Sequence, residues 1–141
     1  MIIRAIENGF KAMSERGWDK IFYLVDLHST VIKPNYQAGN IPKEFYPHAK
    51  EVLQMITKRK DICLIMYTCS HPHEIVEYHK FFKGHGIVFE YVNENPEVKT
   101  QEGGYGCYDT KPYMNVLIDD VFEFHSNPID SCHQRISSIL S

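Results

Sequence analysis

Residues 21–30, Ile-Phe-Tyr-Leu-Val-Asp-Leu-His-Ser-Thr, constrain the fold more than any other stretch of the chain. Apolar or aromatic side chains follow one another from Ile21 to Val25 and stop at Asp26, and a short segment with the hydroxyls of Ser29 and Thr30 comes next. A strand buried on both faces of a parallel sheet reads as such an unbroken run, and it ends in a polar group at the C-terminal edge. Those edges are where open α/β sheets place their chemistry. One run ending in one aspartate is common, so its meaning depends on what other strands bring to the same edge.

The rest of the chain supplies such strands. Ile2, Ile3, Ile6, Phe10 and Met13 recur at three- and four-residue steps and predict an amphipathic helix closed by Gly17. Residues 31–42 hold two prolines, a glycine and asparagines and read as a loop. A second helix is expected within 42–60, with Ala49, Val52, Leu53 and Ile56 on one face, Pro47 in its first turn, and Lys58, Arg59 and Lys60 at its C-terminus, where cations suit the helix dipole. Residues 61–67, DICLIMY, are a second apolar strand that ends in Thr68, Cys69 and Ser70. Helix signals resume from Pro72 to Lys83, glycines 84 and 86 break them, and IVFEYV at 87–92 predicts a third strand. Periodicity then vanishes over 93–110, the mark of a functional loop or an irregular hairpin. Residues 113–118, YMNVLI, predict a fourth strand running into Asp119 and Asp120. Residues 121–127 form a connection, and Pro128 opens a last amphipathic helix with Ile129, Cys132, Ile136, Ile139 and Leu140. Alternating helices and strands in this order specify an α/β fold: a mainly parallel sheet covered by helices on both faces.

At 141 residues, with a 43% hydrophobic fraction, the chain suits one core, so residues 1–141 are expected to form a single domain. Its 15 basic and 18 acidic side chains give a net charge of −3, so there is no bulk positive field for nucleic acid and no strong nucleic-acid-binding signal. An enzyme acting on a nucleotide or a nucleic-acid end is not excluded by that balance. Cys63, Cys69, Cys107 and Cys132 show no short-spaced zinc pattern and read as free thiols of a reducing cytosol, which makes the cytoplasm the expected location. The opening segment lacks the apolar core of a signal peptide, and no run is long enough to span a membrane.

Two strands therefore end in carboxylates, Asp26 and the pair Asp119/Asp120, and a third ends in the hydroxyl of Thr68. In a parallel sheet these groups share one edge. Carboxylates crowded there repel one another unless a cation neutralises them, and converging oxygen ligands suit a hard ion such as magnesium, which brings phosphate oxygens with it. Lys111, just upstream of the last strand, is placed to offset negative charge. The plainer alternative is that Asp119 and Asp120 begin a turn and Lys111 is a solvated loop lysine.

These stretches resemble the haloacid dehalogenase-like superfamily, whose fold is a Rossmann-like three-layer sandwich and whose commonest members are magnesium-dependent phosphatases. Its first motif, a strand ending in Asp-x-Asp-x-Thr, is similar to Asp26-Leu27-His28-Ser29-Thr30. The second is matched by LIMYT with Thr68, and the third and fourth by KPYMNVLIDD with Lys111, Asp119 and Asp120. The resemblance covers roughly residues 20–125 and implies that Asp26 is a nucleophile forming an aspartyl-phosphate. Thr68 would hold a phosphoryl oxygen and Lys111 would stabilise charge on the transferred group. Asp26, the backbone carbonyl of His28, and Asp119 or Asp120 would bind Mg2+.

His28 is the departure, because the family's phosphatases usually carry a second aspartate there as general acid and base. Imidazole can perform both tasks. Elsewhere His71, His73 and His79 crowd one helix, and His73 and Glu77 have metal-sharing spacing, but HEIVE lacks a second histidine and reads as a polar helix surface. One of His71 and His73 is near enough in sequence to Thr68 to reach the mouth of the site, and Tyr105, Tyr108 and Tyr113 are candidates to line it. The expected function is a capless or minimally capped magnesium-dependent phosphohydrolase acting on a phosphorylated small molecule or macromolecular end, with an oligomer as one source of cover. Two alternatives stand beside it: a non-catalytic or regulatory domain that binds magnesium or a phosphorylated ligand, and a hydrolase of the same type with a non-phosphate substrate. A response-regulator receiver fits less well, since its phosphorylated aspartate would belong where this chain has Thr68.

Overall fold

The computed structural model describes the backbone at residues 2–35, 37, 39–119 and 129–141, and the side chains of these except at 2 and 129–133. In chain order the elements are α1 Ile2–Arg16, β1 Ile21–Asp26, α2 Ala49–Lys58, β2 Ile62–Tyr67, α3 Pro72–Gly84, β3 Tyr91–Val92, β4 Val116–Ile118 and α4 Ile129–Leu140. The strands form one parallel sheet in the order β3-β2-β1-β4, which is the α/β class expected. The connection expected over residues 121–127, the helix opening at Pro128 and Asp120 lie outside the described residues.

The apolar runs become the two central strands because both of their faces are covered. Odd-numbered β1 residues Ile21, Tyr23 and Val25 join Leu64, Met66, Val116 and Ile118 on one face, where Ile6 of α1, Val52, Leu53 and Ile56 of α2, Tyr78 and Phe82 of α3, and Ile136 and Leu140 of α4 pack on them. Even-numbered Phe22 and Leu24 join Cys63 and Ile65 on the other face, under Tyr91, Val98, Tyr113 and Met114. Each fully buried Ile, Leu or Phe contributes about 1.5–3 kcal/mol of transfer free energy, so neither face is dispensable.

The expectation of helices on both faces is corrected here. Among the described residues every helix packs on the first face, and coil from 93–114 covers the second. Topology accounts for this: β1-α2-β2 and β2-α3-β3 step outward in one direction with their helices on one side. The connection from β3 must then return past β2 and β1 to reach β4, and it crosses the remaining face without forming a helix.

Two expected strands are shorter than their apolar runs. The 87–92 run pairs only at Tyr91 and Val92, because Ile87 and Phe89 both turn into the helical face while Tyr91 turns to the other. Side chains two apart share one face of a strand, so this change of phase near Glu90 is incompatible with a continuous one. The 113–118 run pairs from Val116; Tyr113 and Met114, neighbours in sequence, both pack on the second face. Just before that point Asn115 holds Phe22 twice, its N–H donating to the Phe22 carbonyl at 2.9 Å and its side-chain Oδ1 accepting the Phe22 N–H at 2.8 Å. The second helix starts at Ala49, so Pro47 lies ahead of its first turn rather than in it.

Candidate functional site

β1 lies between β2 and β4, and the chain leaves it toward β2 but reaches β4 only at the end, so the strand order reverses beside β1. The crevice outside the carboxyl ends at such a reversal is where open α/β sheets bind ligands. Val25 pairs with Ile118, so Asp26 and Asp119 leave adjacent strands at the same level. Tyr67 pairs with Asp26, so Thr68 follows on the other neighbour one residue further out. Asp26, Asp119 and Thr68 thus meet at one edge; Asp120 lies outside the described residues.

Asp26 is half-buried, and its Oδ2 accepts the Thr30 hydroxyl at 2.9 Å. Its carboxyl is held above the usual carboxylate range, chiefly because burial strips water from its charge, and next because Asp119 repels it; the Thr30 hydroxyl and the Leu27 N–H oppose this. After Asp26 the backbone makes a tight turn in which the Leu27 carbonyl accepts the N–H groups of Thr30, Val31 and Ile32, with Ser29 at φ 63°. Among the described backbone hydrogen bonds none is accepted by the His28 carbonyl. The donors at this edge therefore fit a hard divalent cation in kind: two carboxylates under mutual repulsion, and a main-chain oxygen the turn leaves unused.

His28 is half-buried, and its Nε2 lies 2.6 Å from the hydroxyl of Tyr78, with the rings edge to face at 5.6 Å. Tyr78 is fully buried, and burial pushes its phenol up to about 12, so the hydroxyl keeps its proton across the working range. The imidazole is thereby fixed in orientation. It faces a cleft of about 340 Å³ shared with α3 and the loop at 34–42.

Thr68 is 7% exposed and is clamped by a residue that sequence reasoning missed: the Asn93 side chain accepts its N–H and donates to its carbonyl, both at 2.8 Å. Asn93 takes the left-handed conformation at φ 55°, which Asn tolerates better than most residues. Asn95, also missed, is 7% exposed and ties the coil to the Tyr113 carbonyl at 2.9 Å. The signal available was Asn-Glu-Asn-Pro directly after an apolar run, a turn-forming sequence.

Lys111 is exposed, and among the described contacts none joins it to Asp26 or Thr68. Tyr105 is fully exposed, and Tyr113 meets Tyr108 and Phe22 edge to face, at 5.3 and 6.1 Å, at the second sheet face rather than at the edge with Asp26. His71 and His73 stack at 5.7 Å, and the His71 N–H donates to Glu74 at the start of α3, so this pair belongs to the helix cap. A larger cleft of about 460 Å³, with Asn93, Lys99, Tyr108 and Asp109 in its walls, lies within the coil and includes none of the candidate catalytic side chains.

Among the described residues, one group of at least three metal-type ligands lies within 4.8 Å of one another: Cys63, Glu90 and Glu97, under the coil. Lys20 already neutralises Glu97 at 2.9 Å and the Tyr91 hydroxyl donates to the same carboxylate at 2.9 Å. Burial, then the charge of Glu90, pushes the Cys63 thiol well up, so it stays protonated and donates to Glu90. The cluster pins the coil to the sheet. Cys63, Cys69 and Cys107 are free thiols.

No family model matches the chain, and neither does any curated protein. A solved structure titled as a conserved protein from Bacteroides thetaiotaomicron is similar, with a TM-score of 0.59 and 18% identity over 84% of this chain and 91% of that one. At this identity the likeness is one of fold. No helix among the described residues is long and apolar enough to cross a membrane.

Proposed function

We propose that the crevice between β1 and β4 is the active site of a magnesium-dependent phosphohydrolase of the haloacid dehalogenase type, working in the cytoplasm on a phosphorylated small molecule or macromolecular end. The observation that supports this most is the pair Asp26 and Asp119, side by side at the reversal of strand order and with Thr68 on the next strand. Asp26 attacks phosphorus and the bond to the leaving oxygen breaks, giving an aspartyl-phosphate; protonated His28 donates to that oxygen. Neutral His28 then takes a proton from the water that releases phosphate and restores Asp26. The Thr68 hydroxyl donates to a phosphoryl oxygen, and Lys111 reaches in on its flexible stem to offset phosphoryl charge. Asp26, Asp119 and the His28 carbonyl would hold Mg2+, with Asp120 as a further candidate ligand. Bound there, the ion would neutralise the carboxylates and polarise the phosphoryl group.

The exposure of Lys111 favours a second reading, a domain that binds magnesium or a phosphorylated ligand without turnover. Phosphate release with saturating magnesium, across sugar phosphates, nucleotides and phosphorylated ends, separates the two. The expected result is release that falls by about a hundredfold or more in Asp26→Asn and in His28→Ala, with both variants folded. Ligand binding with no release from any substrate selects the second reading.

A further inference from the structure

The cleft beside His28 has a wall chemistry of its own. Three carboxamides, Asn35, Gln37 and Asn40, and one carboxylate, Glu74, line it together with His28, Tyr78 and the two prolines Pro34 and Pro42. Among the described residues no lysine or arginine lines it. Of the lysines that flank the loop, Lys33 is held by Glu44 at 2.9 Å, and Lys43 lines a different cleft with Glu77 and Phe81. Glu74 is fixed in place by the His71 N–H at 2.8 Å. Carboxamides present donors and acceptors together and so match neighbouring hydroxyls, whereas a fixed carboxylate accepts from a hydroxyl and repels an anion.

We propose that this cleft is the leaving-group pocket and that it takes an uncharged, hydroxyl-rich group, which makes sugar or polyol monophosphates the substrate class. The inference rests on the phosphohydrolase reading. In that reaction the phosphorus lies at Asp26, while the leaving oxygen takes its proton from His28. His28 lines the cleft and neither aspartate does, so the departing alcohol is the part of the substrate that the cleft holds. A second phosphate on that alcohol would meet Glu74 and no compensating cation.

The test compares kcat/KM for p-nitrophenyl phosphate, glucose 6-phosphate, fructose 1,6-bisphosphate and AMP, at saturating magnesium, in the wild type and in Asn40→Lys. Asn40 is exposed, so the variant adds a cation to the wall without disturbing the core. The wild type should favour the sugar monophosphate over the bisphosphate and AMP by about tenfold or more, and Asn40→Lys should narrow the margin over the bisphosphate by about threefold. Release from p-nitrophenyl phosphate with no such preference, or with a margin unchanged in Asn40→Lys, overturns this inference and leaves the phosphohydrolase reading standing. No release from any of the four overturns both.

Discussion

At Asp26 the requirements of chemistry and of stability conflict. The folded state binds the Asp26 proton more tightly than the unfolded chain does, because burial and the Asp119 charge both disfavour the carboxylate. Ionised Asp26 therefore costs stability. That cost is absent below the ordinary aspartate range near about pH 4, grows as pH rises through the elevated folded value, and is complete above it. Asp26→Asn removes it while keeping an oxygen for Thr30, so without magnesium the variant should unfold a few degrees above the wild type at about pH 7, with the gap closing toward about pH 4. Thermal unfolding at both values checks this; a lower midpoint for the variant at neutral pH would reject the electrostatic account. The aspartates and Thr68 were legible in the sequence because each ends an apolar run, and a parallel sheet aligns such ends. Tyr78 and Asn93 were not, since nothing local to Tyr78 marks its bond to His28, fifty positions away, and Asn93 acts on the backbone of Thr68 rather than through any motif.

The elements divide along the same line. Helices α1, α2 and α3 were legible from apolar spacing and from their ends: Gly17 at φ 66° closes α1, with the Trp18 N–H returning to the Met13 carbonyl at 3.0 Å. Arg59 has a larger role than the helix-terminal cation its sequence position implies. Its guanidinium forks onto Asp61 at 2.9 and 2.8 Å, donates to the Leu140 carbonyl at 2.8 Å and lies 4.7 Å over the Phe10 ring, joining α1, α4 and the start of β2. Its hydrogen bonds hold the Asp61 carboxyl below its ordinary range. A depressed carboxyl contributes stability above the unfolded value of about 3.9 and loses it as pH falls through the folded value. Arg59→Met should cost about 2–3 kcal/mol at neutral pH, measured by urea unfolding, and the difference from wild type should shrink below about pH 4. A cost that does not change with pH would assign the effect to the Leu140 hydrogen bond and packing on Phe10 rather than to Asp61. Strands β3 and β4 were legible as strands but not in their short length, because β-propensity does not record which face a side chain takes, and the phase change at Glu90 is decided by packing under α3.

For the whole molecule, the order β3-β2-β1-β4 is what brings two distant aspartates together, with the return connection as coil laid over the second face. That coil could be predicted as irregular but not as a covering layer, since its anchors are single residues such as Val98, Asn95 and Glu97. The magnesium site proposed above depends on this topology. Isothermal titration of magnesium into the wild type, Asp26→Asn and Asp119→Asn, each first shown to be folded by circular dichroism, tests it most directly. The wild type should bind magnesium and both variants should lose the site; binding unchanged in both would contradict the reading of this edge as a metal centre.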